Sequence, residues 1–362
     1  MTHRHLPATR PRRAFVAALA AAGLALTACG NGSDDAGDAG PSPAPTQETP
    51  PTELTVVTHD SFTLSDELID QFTTDTGYEV TWVAPGDGGA LVNQLVLTKD
   101  SPLGDVVYGL DNTFAARAVG EDVFEPYTSP EAPDVDTPFG EALTPIDFGD
   151  VCINVDHEWF AAEGLAEPVT LADLADERYA DLLVVTNPAT SSPGLSFLLA
   201  TIAEFGDGWQ DYWSDLLANG VEIADGWSQA YYVDFSGSEG EGPKPLVLSY
   251  SSSPPAEVGE NGEPRTGALL DTCFRQTEFA GVLSGANNPE GAQAFIDFLL
   301  SPDVQADIPG SMYVYPIRDD VALPQEWAEF APVATDPHDL APAEIAENRD
   351  DWIREWTELV TG

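Results

Sequence analysis

The sequence is short of positive charge: 13 Lys and Arg stand against 62 Asp and Glu, a formal net charge of −49 over 362 residues. Lys99 and Lys244 are the only lysines. Without a basic footprint a chain cannot neutralise phosphates, which excludes nucleic acid and anionic membrane surfaces as partners. A cationic ligand is favoured, although acidity also serves plain solubility. Histidine is scarce as well, with His59, His157 and His338 beyond the N-terminal segment. There is no HExxH or CxxC spacing and no GxSxG elbow, and no GxGxxG turn follows a strand. Catalysis, a resident metal and a cofactor are therefore unsupported.

What is present begins with an export segment. Residues 1–28 carry Arg4, Arg10, Arg12 and Arg13, then an uncharged run from Ala14 to Ala28 that stops at Cys29. A basic start and a short apolar stretch read as a signal peptide rather than a membrane span. "LTAC" (26–29) resembles a bacterial lipoprotein cleavage box, which would leave Cys29 as a lipidated N-terminus; an ordinary cleaved signal is the alternative. "RRAFV" faintly resembles a twin-arginine signal, so the export route stays open. Removing 28 residues leaves nine basic residues against the 62 acids. Residues 29–52 are rich in Gly, Ser, Asp and Pro and cannot bury surface, so they read as a disordered tether. The expectation is a monomer held by lipid at the outer face of the cell membrane. Cys152 and Cys273 remain in the exported part, as a disulfide or as two buried free thiols.

From Glu53 onward, short apolar runs alternate with amphipathic stretches. Strands are predicted at 54–58, 78–83 and 105–110, with helices from Ser65 to Gly77 and from about Gly89 to Lys99. The middle of the chain repeats the pattern, with strands at 150–156, 181–187, 220–226 and 245–251. Helices are expected near 171–177, 194–205 and 207–219, and "NNPEGAQAFIDFLLSPDVQADIP" (287–309) is a helical pattern with Pro289 near its start and Pro302 near its end. A last helix, about Pro342 to Val360, carries Ile345, Trp352, Ile353, Trp356 and Leu359 at helical spacing, a stripe that suits the core. This predicts an α/β fold of two lobes with a cleft between them. Residues 53–150 plus 275–335 form the first lobe, 151–274 the second and 336–362 a C-terminal helical segment. "GDVCINVD" and "TCFRQTEF" are the expected crossings at the hinge, which would bring Cys152 near Cys273.

Polar and aromatic residues recur directly after predicted strands: "THDSF" (58–62), "APGDGGALVNQL" (84–95), "LDN" (110–112), "TSSPG" (190–194), "GWSQAYY" (226–232) and "SYSSSP" (249–254). "GSMYVYP" (310–316) joins them later. Each alone has a plain explanation: Asp87 and Ser192 as helix caps, Trp227 and Tyr250 as buried aromatics, Asp111 as a turn residue. Six such loops at strand ends point to a ligand cleft.

Taken in order, "THDSF", "DGGALVNQL", "VVYGLDN", "TSSPGLSFLL", "GWSQAYY", "LVLSYSSSP" and "AEIAENRDDWIREW" resemble the thiamine-binding proteins of ABC importers, across nearly the whole chain from residue 53. The resemblance implies a two-lobed periplasmic-binding type II fold, thiamine or its phosphate esters as ligand, and an ABC permease as partner. It also implies a ligand loop at Asp87–Gly88, with Ser191 and Ser192 at the hydroxyl or phosphate end. Trp227 would line the cleft, and Tyr250 with Ser251, Ser252 and Ser253 would contact the ligand. Asp87 would pair with the cation or accept from the amino group. His59 and Tyr313 stand where such proteins have other aromatics, and Ala256 where one is expected.

Two rivals share these residues. A ferric-ion importer component would use paired tyrosines such as Tyr231-Tyr232, and a polyamine binder would use the acids and aromatics. A thiamine-degrading enzyme of similar fold would need a cysteine nucleophile in the cleft.

Overall fold

The computed structural model describes residues 52–133, 137–259 and 262–362. The signal segment, Cys29 and the tether to residue 51 lie outside the described residues. The first three strands are β1 (Glu53–Val57), β2 (Glu79–Val83) and β3 (Val106–Asp111). Three helices lie among and after them: α1 (Asp66–Thr76), α2 (Gly88–Leu97) and α3 (Ala115–Gly120). A short β4 (Phe124–Glu125) precedes the long β5 (Thr144–Asp156). The middle of the chain then holds α4 (His157–Glu163), β6 (Leu183–Thr186), α5 (Ser192–Phe205), α6 (Trp209–Ala218), β7 (Glu222–Ala224), α7 (Trp227–Gln229) and β8 (Leu246–Tyr250). β9 (Thr266–Leu283) returns, followed by α8 (Pro289–Leu299), α9 (Pro302–Met312) and β10 (Tyr315–Pro316). The chain closes with α10 (Gln325–Phe330) and α11 (Pro342–Thr361).

One sheet runs in the order β2-β1-β3-β9-β5-β8-β6-β7, with β4 on β9 and β10 on β5. β1 is parallel to β2 and β3, and β6 is parallel to β7 and β8. Between these two parallel groups lie β5 and β9, antiparallel to each other. The two halves thus mirror each other's strand order about the crossing pair. The two segments expected as crossings pair with each other there, Asp150 with Arg275 and Val151 with Phe274.

The crossing strands lose their regular register between Val151 and Ile153. Thr272 fills the gap: its hydroxyl accepts from the Ile153 amide at 2.9 Å and donates to the Leu269 carbonyl at 2.7 Å. Cys152 and Cys273 meet across this irregularity in a disulfide, their Cα atoms 4.2 Å apart, and both are fully buried. Beside it the guanidinium of Arg275 grips Asp150 at 2.5 and 3.1 Å.

Ser65 and Gly77 bound α1 as the sequence predicts, with Gly77 in the left-handed region at φ 77°. Elsewhere the elements differ. The helix expected at 171–177 is two 3-10 turns, Ala172–Ala175 and Glu177–Tyr179, interrupted by extended backbone at Asp176, whose carboxylate accepts from the Arg178 amide. The long pattern after Pro289 is two helices, because Ser301 caps α9 by accepting from the Val304 amide. β5 and β9 start six residues earlier than predicted, since strands this deep in a sheet tolerate Pro145 at a register shift.

The core is continuous through both halves. α5 is buried from Ser192 to Ile202 and packs on β5, β6, β8 and β9. Each large apolar side chain buried there contributes about 1.5–3 kcal/mol. The predicted stripe on α11 does pack inward: Ile345 and Trp356 are buried, and Trp356 meets Trp213 of α6 edge to face at 5.4 Å.

Candidate functional site

A cavity of about 290 Å³ opens where the loops after the strands converge. Its wall includes His59 to Thr63 after β1, Asp87 at the start of α2, Ser192 and Pro193 at the start of α5, and Trp227, Ser228 and Tyr232. Tyr250 at the end of β8, Glu278 on β9 and the segment Ser311 to Val314 complete it. Of the residues singled out from the sequence, His59, Asp87, Ser192, Trp227, Tyr250 and Tyr313 come together here.

Asp87 is held by helix starts. It caps α2, its Oδ1 accepting from the Gly88 amide at 2.6 Å and from the Ser192 amide at 3.2 Å. Its Oδ2 accepts from the Trp227 amide at 3.0 Å. The first amides of a helix have no partner within it, and the dipole there favours a negative charge. One carboxylate thus serves α2, α5 and α7. Gly88 lies beside this junction and lines no part of the cavity. A Cβ on it would lie 1.9 Å from the Ser192 hydroxyl oxygen.

The cap of α5 is Ser191, not Ser192. Ser191 Oγ accepts from the Gly194 amide at 3.4 Å and donates to Thr186 Oγ1 at 2.8 Å, behind the cavity wall. Ser192 is the first helical residue and lines the cavity; its amide bonds Asp87, and its hydroxyl is buried against Gly88. Asp111 sits behind, fully buried. Burial pushes its carboxyl up, against hydrogen bonds from Thr113 that pull it down.

The aromatic wall is built around Trp227. Its ring stacks on Tyr231 at 4.9 Å and 14°, meets Tyr232 edge to face at 5.3 Å, and lies 6.3 Å from both Tyr250 and Tyr313. The indole N–H donates to Ser249 Oγ at 3.0 Å, fixing the ring. Tyr313 ends α9 in left-handed backbone at φ 57°, and its carbonyl accepts from Ser252 Oγ at 2.5 Å. Ser251, Ser252 and Ser253 are all fully buried and line no part of the cavity. They build the turn after β8: Ser251 donates its amide to the Asp150 carbonyl, and Ser253 Oγ lies 2.8 Å from Ser249 Oγ.

Sequence reasoning missed the acid at the floor. Glu278 is only 5% exposed; its Oε2 accepts from the Tyr108 hydroxyl at 3.1 Å and its Oε1 from Gln276 Nε2 at 3.2 Å. The same Tyr108 oxygen lies 2.5 Å from Asp147 Oδ2, so its single proton is shared between the two acids. Burial, then the neighbouring charge of Glu278, pushes Asp147 well up. His59 Nδ1 lies 2.9 Å from Ser61 Oγ, and Nε2 lies 3.7 Å from Glu278 Oε1. The signal for Glu278 was available: Gln276 and Glu278 are polar at alternate positions of an apolar strand, hence on one face. Asp60, at the mouth, is raised by burial and by the charge of Asp87.

The tyrosine pair is split between the core and the cavity wall. Tyr231 does not line the cavity; it is fully buried and donates to Glu257 Oε1 at 3.1 Å, while Tyr232 faces the cavity, so the pair does not converge on one point. Among the described residues no group of three or more His, Cys, Asp or Glu is arranged to hold a metal ion. Cys152 and Cys273 are joined to each other and offer no thiol.

Residues 101–336 match the family model of bacterial extracellular solute-binding proteins. The chain is 31% identical over 318 residues to the thiamine-binding periplasmic protein of Salmonella typhimurium, covering 85% of this chain and 93% of that one. It is 29% identical over 314 residues to the protein of the same name in Brucella suis, covering 84% and 90%. A solved periplasmic thiamin binding protein aligns with a TM-score of 0.75 at 29% identity, covering 85% of this chain and 96% of that chain. The ferric binding protein from Campylobacter jejuni aligns at 0.67 with 19% identity, covering 84% and 99%, a likeness of fold.

Proposed function

We propose that this chain, which belongs to the bacterial extracellular solute-binding protein family, captures thiamine outside the cytoplasm and hands it unaltered to the permease of an ABC importer. Its fold is the two-lobed, hinged type II form of periplasmic binding proteins. In this reading the exported protein is a monomer anchored through lipid on Cys29.

One observation carries the reading. Ring faces of Trp227, Tyr232, Tyr250 and Tyr313 converge with carboxylates on a single cavity whose lining residues include no lysine or arginine. Thiamine is a flat aminopyrimidine joined to a permanently cationic thiazolium. Aromatic faces hold such a cation with about 0.5–2 kcal/mol per contact when desolvated. A phosphate ester would have to share the start of α5 with Asp87, so free thiamine fits the site more simply.

The test is calorimetric titration of protein unfolded and refolded to strip any carried ligand. Thiamine should bind one to one, with a Kd below about 1 μM, and quench indole emission from Trp227. Neither heat nor quenching with thiamine, or tighter binding of ferric citrate or spermidine, would overturn it.

A further inference from the structure

Three carboxylates face the cavity, and they are not equivalent. Asp60 is exposed at the mouth, where water screens its charge. Asp87 lines the wall, but both of its oxygens are occupied by the amides of Gly88, Ser192 and Trp227. Glu278 lines the floor and is nearly buried.

What stands behind Glu278 distinguishes it further. Gln276 donates to its Oε1, and the Tyr108 hydroxyl, shared with Asp147, reaches its Oε2. Asp147 beside it is fully buried, and burial together with the charge of Glu278 pushes its carboxyl well up. The nearest cationic candidate within the protein is His59, whose Nε2 is buried without a hydrogen-bond partner, 3.7 Å from Glu278 Oε1. That separation is too long for a hydrogen bond. The floor of the cavity thus presents an acceptor that no lysine or arginine of the lining meets, with His59 as its ion-pair neighbour.

We propose that Glu278, rather than Asp87, is the anionic partner of the ligand's cationic ring, and that Asp87 is a positioning residue that holds the helix starts around it. The inference rests on the thiamine reading and assigns the group that recognises its charge. Replacing one partner of a desolvated charged pair weakens binding steeply, whereas a neutral ligand of the same shape does not register the loss.

The experiment titrates thiamine and its neutral 3-deaza analogue, in which a carbon replaces the charged ring nitrogen, into the wild-type protein, Glu278→Gln and Asp87→Asn. The wild type should prefer thiamine by about tenfold or more. Glu278→Gln should bind both ligands within about threefold of each other, and Asp87→Asn should weaken both while keeping the preference. A preference that survives in Glu278→Gln, or collapses in Asp87→Asn, overturns the assignment. Equal binding of both ligands by the wild type overturns it while leaving the thiamine reading in place. Binding of neither by the wild type ends both. If Glu278→Gln does not melt cooperatively, Glu278→Asp retains the charge one methylene further back. It should then lose more affinity for thiamine than for the analogue, and equal losses overturn the proposal.

Discussion

Asp87 Oδ2 accepts the backbone amide of Trp227 at 3.0 Å, although 140 residues separate them. With the Ser192 amide on Oδ1, this one carboxylate ties a helix of the first half-sheet to two helix starts of the second. Asp87→Ala should therefore loosen closure more than it loosens the fold. Loss of the cap costs about 1–2 kcal/mol. The released amides of α5 and α7 should leave the halves apart, seen as a larger radius of gyration in solution scattering, with weaker thiamine binding. Unchanged scattering and affinity would refute the clamp.

Gly88 tests the same junction by volume. Its φ is not in the left-handed region, so alanine is acceptable to the backbone, but the added Cβ would lie 1.9 Å from Ser192 Oγ across the junction. Gly88→Ala should melt within a few degrees of wild type because the separated halves accommodate a methyl. Thiamine affinity should fall by about tenfold or more, a cost of at least 1.4 kcal/mol. An unaltered affinity would mean that Ser192 moves aside freely.

Much of this was legible in the chain. Strand positions followed from apolar runs, and the cavity loops from polar residues placed after them, so Asp87, Ser192, Trp227 and Tyr250 could be named together. What escaped depended on side-chain direction. Ser191 and Ser192 are equivalent as letters, and only the helix register separates the cap from the residue that faces the cavity. Ser251 to Ser253 read as ligand contacts because hydroxyls in a loop look available, yet all three are buried, with Ser252 bonded to the Tyr313 carbonyl and Ser253 to Ser249. Glu278 was overlooked because chemistry was sought in loops, and a strand near the hinge contributes it instead. The mirrored strand order was invisible because two halves can share topology without sharing sequence.

The buried acid pair gives a pH signature. Asp147 has its pKa raised above the ordinary 3.8, first by burial and then by the charge of Glu278. The folded state therefore holds this proton more tightly than the unfolded chain does. Its stabilising contribution is complete below the unfolded value and is lost as pH rises through the folded one. Asp111 and Glu257 are shifted in the same direction, each mainly by burial. Stability should thus decline from about pH 4 upward. Asp147→Asn mimics the protonated acid, so it should flatten that decline and melt higher than wild type near neutral pH, with little difference near pH 4. Parallel melting curves across this range would refute the assignment.

The hinge carries two fastenings of different chemistry within two residues of each other. Cys152 and Cys273 close 121 residues of chain, and loss of such a native bridge costs about 2–5 kcal/mol, largely through the freedom regained by the unfolded state. Unreduced protein that starts after Cys29 should show no free thiol when unfolded, and reductant should lower its melting temperature. Arg275 acts on the folded state instead. Its guanidinium is the cationic partner of Asp150, which is fully buried and also accepts the Ala334 amide at 2.7 Å. Arg275→Met would leave that carboxylate in the interior without a counter-charge, a loss of about 3–5 kcal/mol. Asp150→Asn in the same chain should recover part of it by removing the stranded charge. The two fastenings then separate in denaturant titrations. Reduction should change the slope of the transition, because the unfolded chain expands, whereas Arg275→Met should shift the midpoint at constant slope. Equal slopes in both cases would mean that the disulfide, like the ion pair, acts on the native hinge.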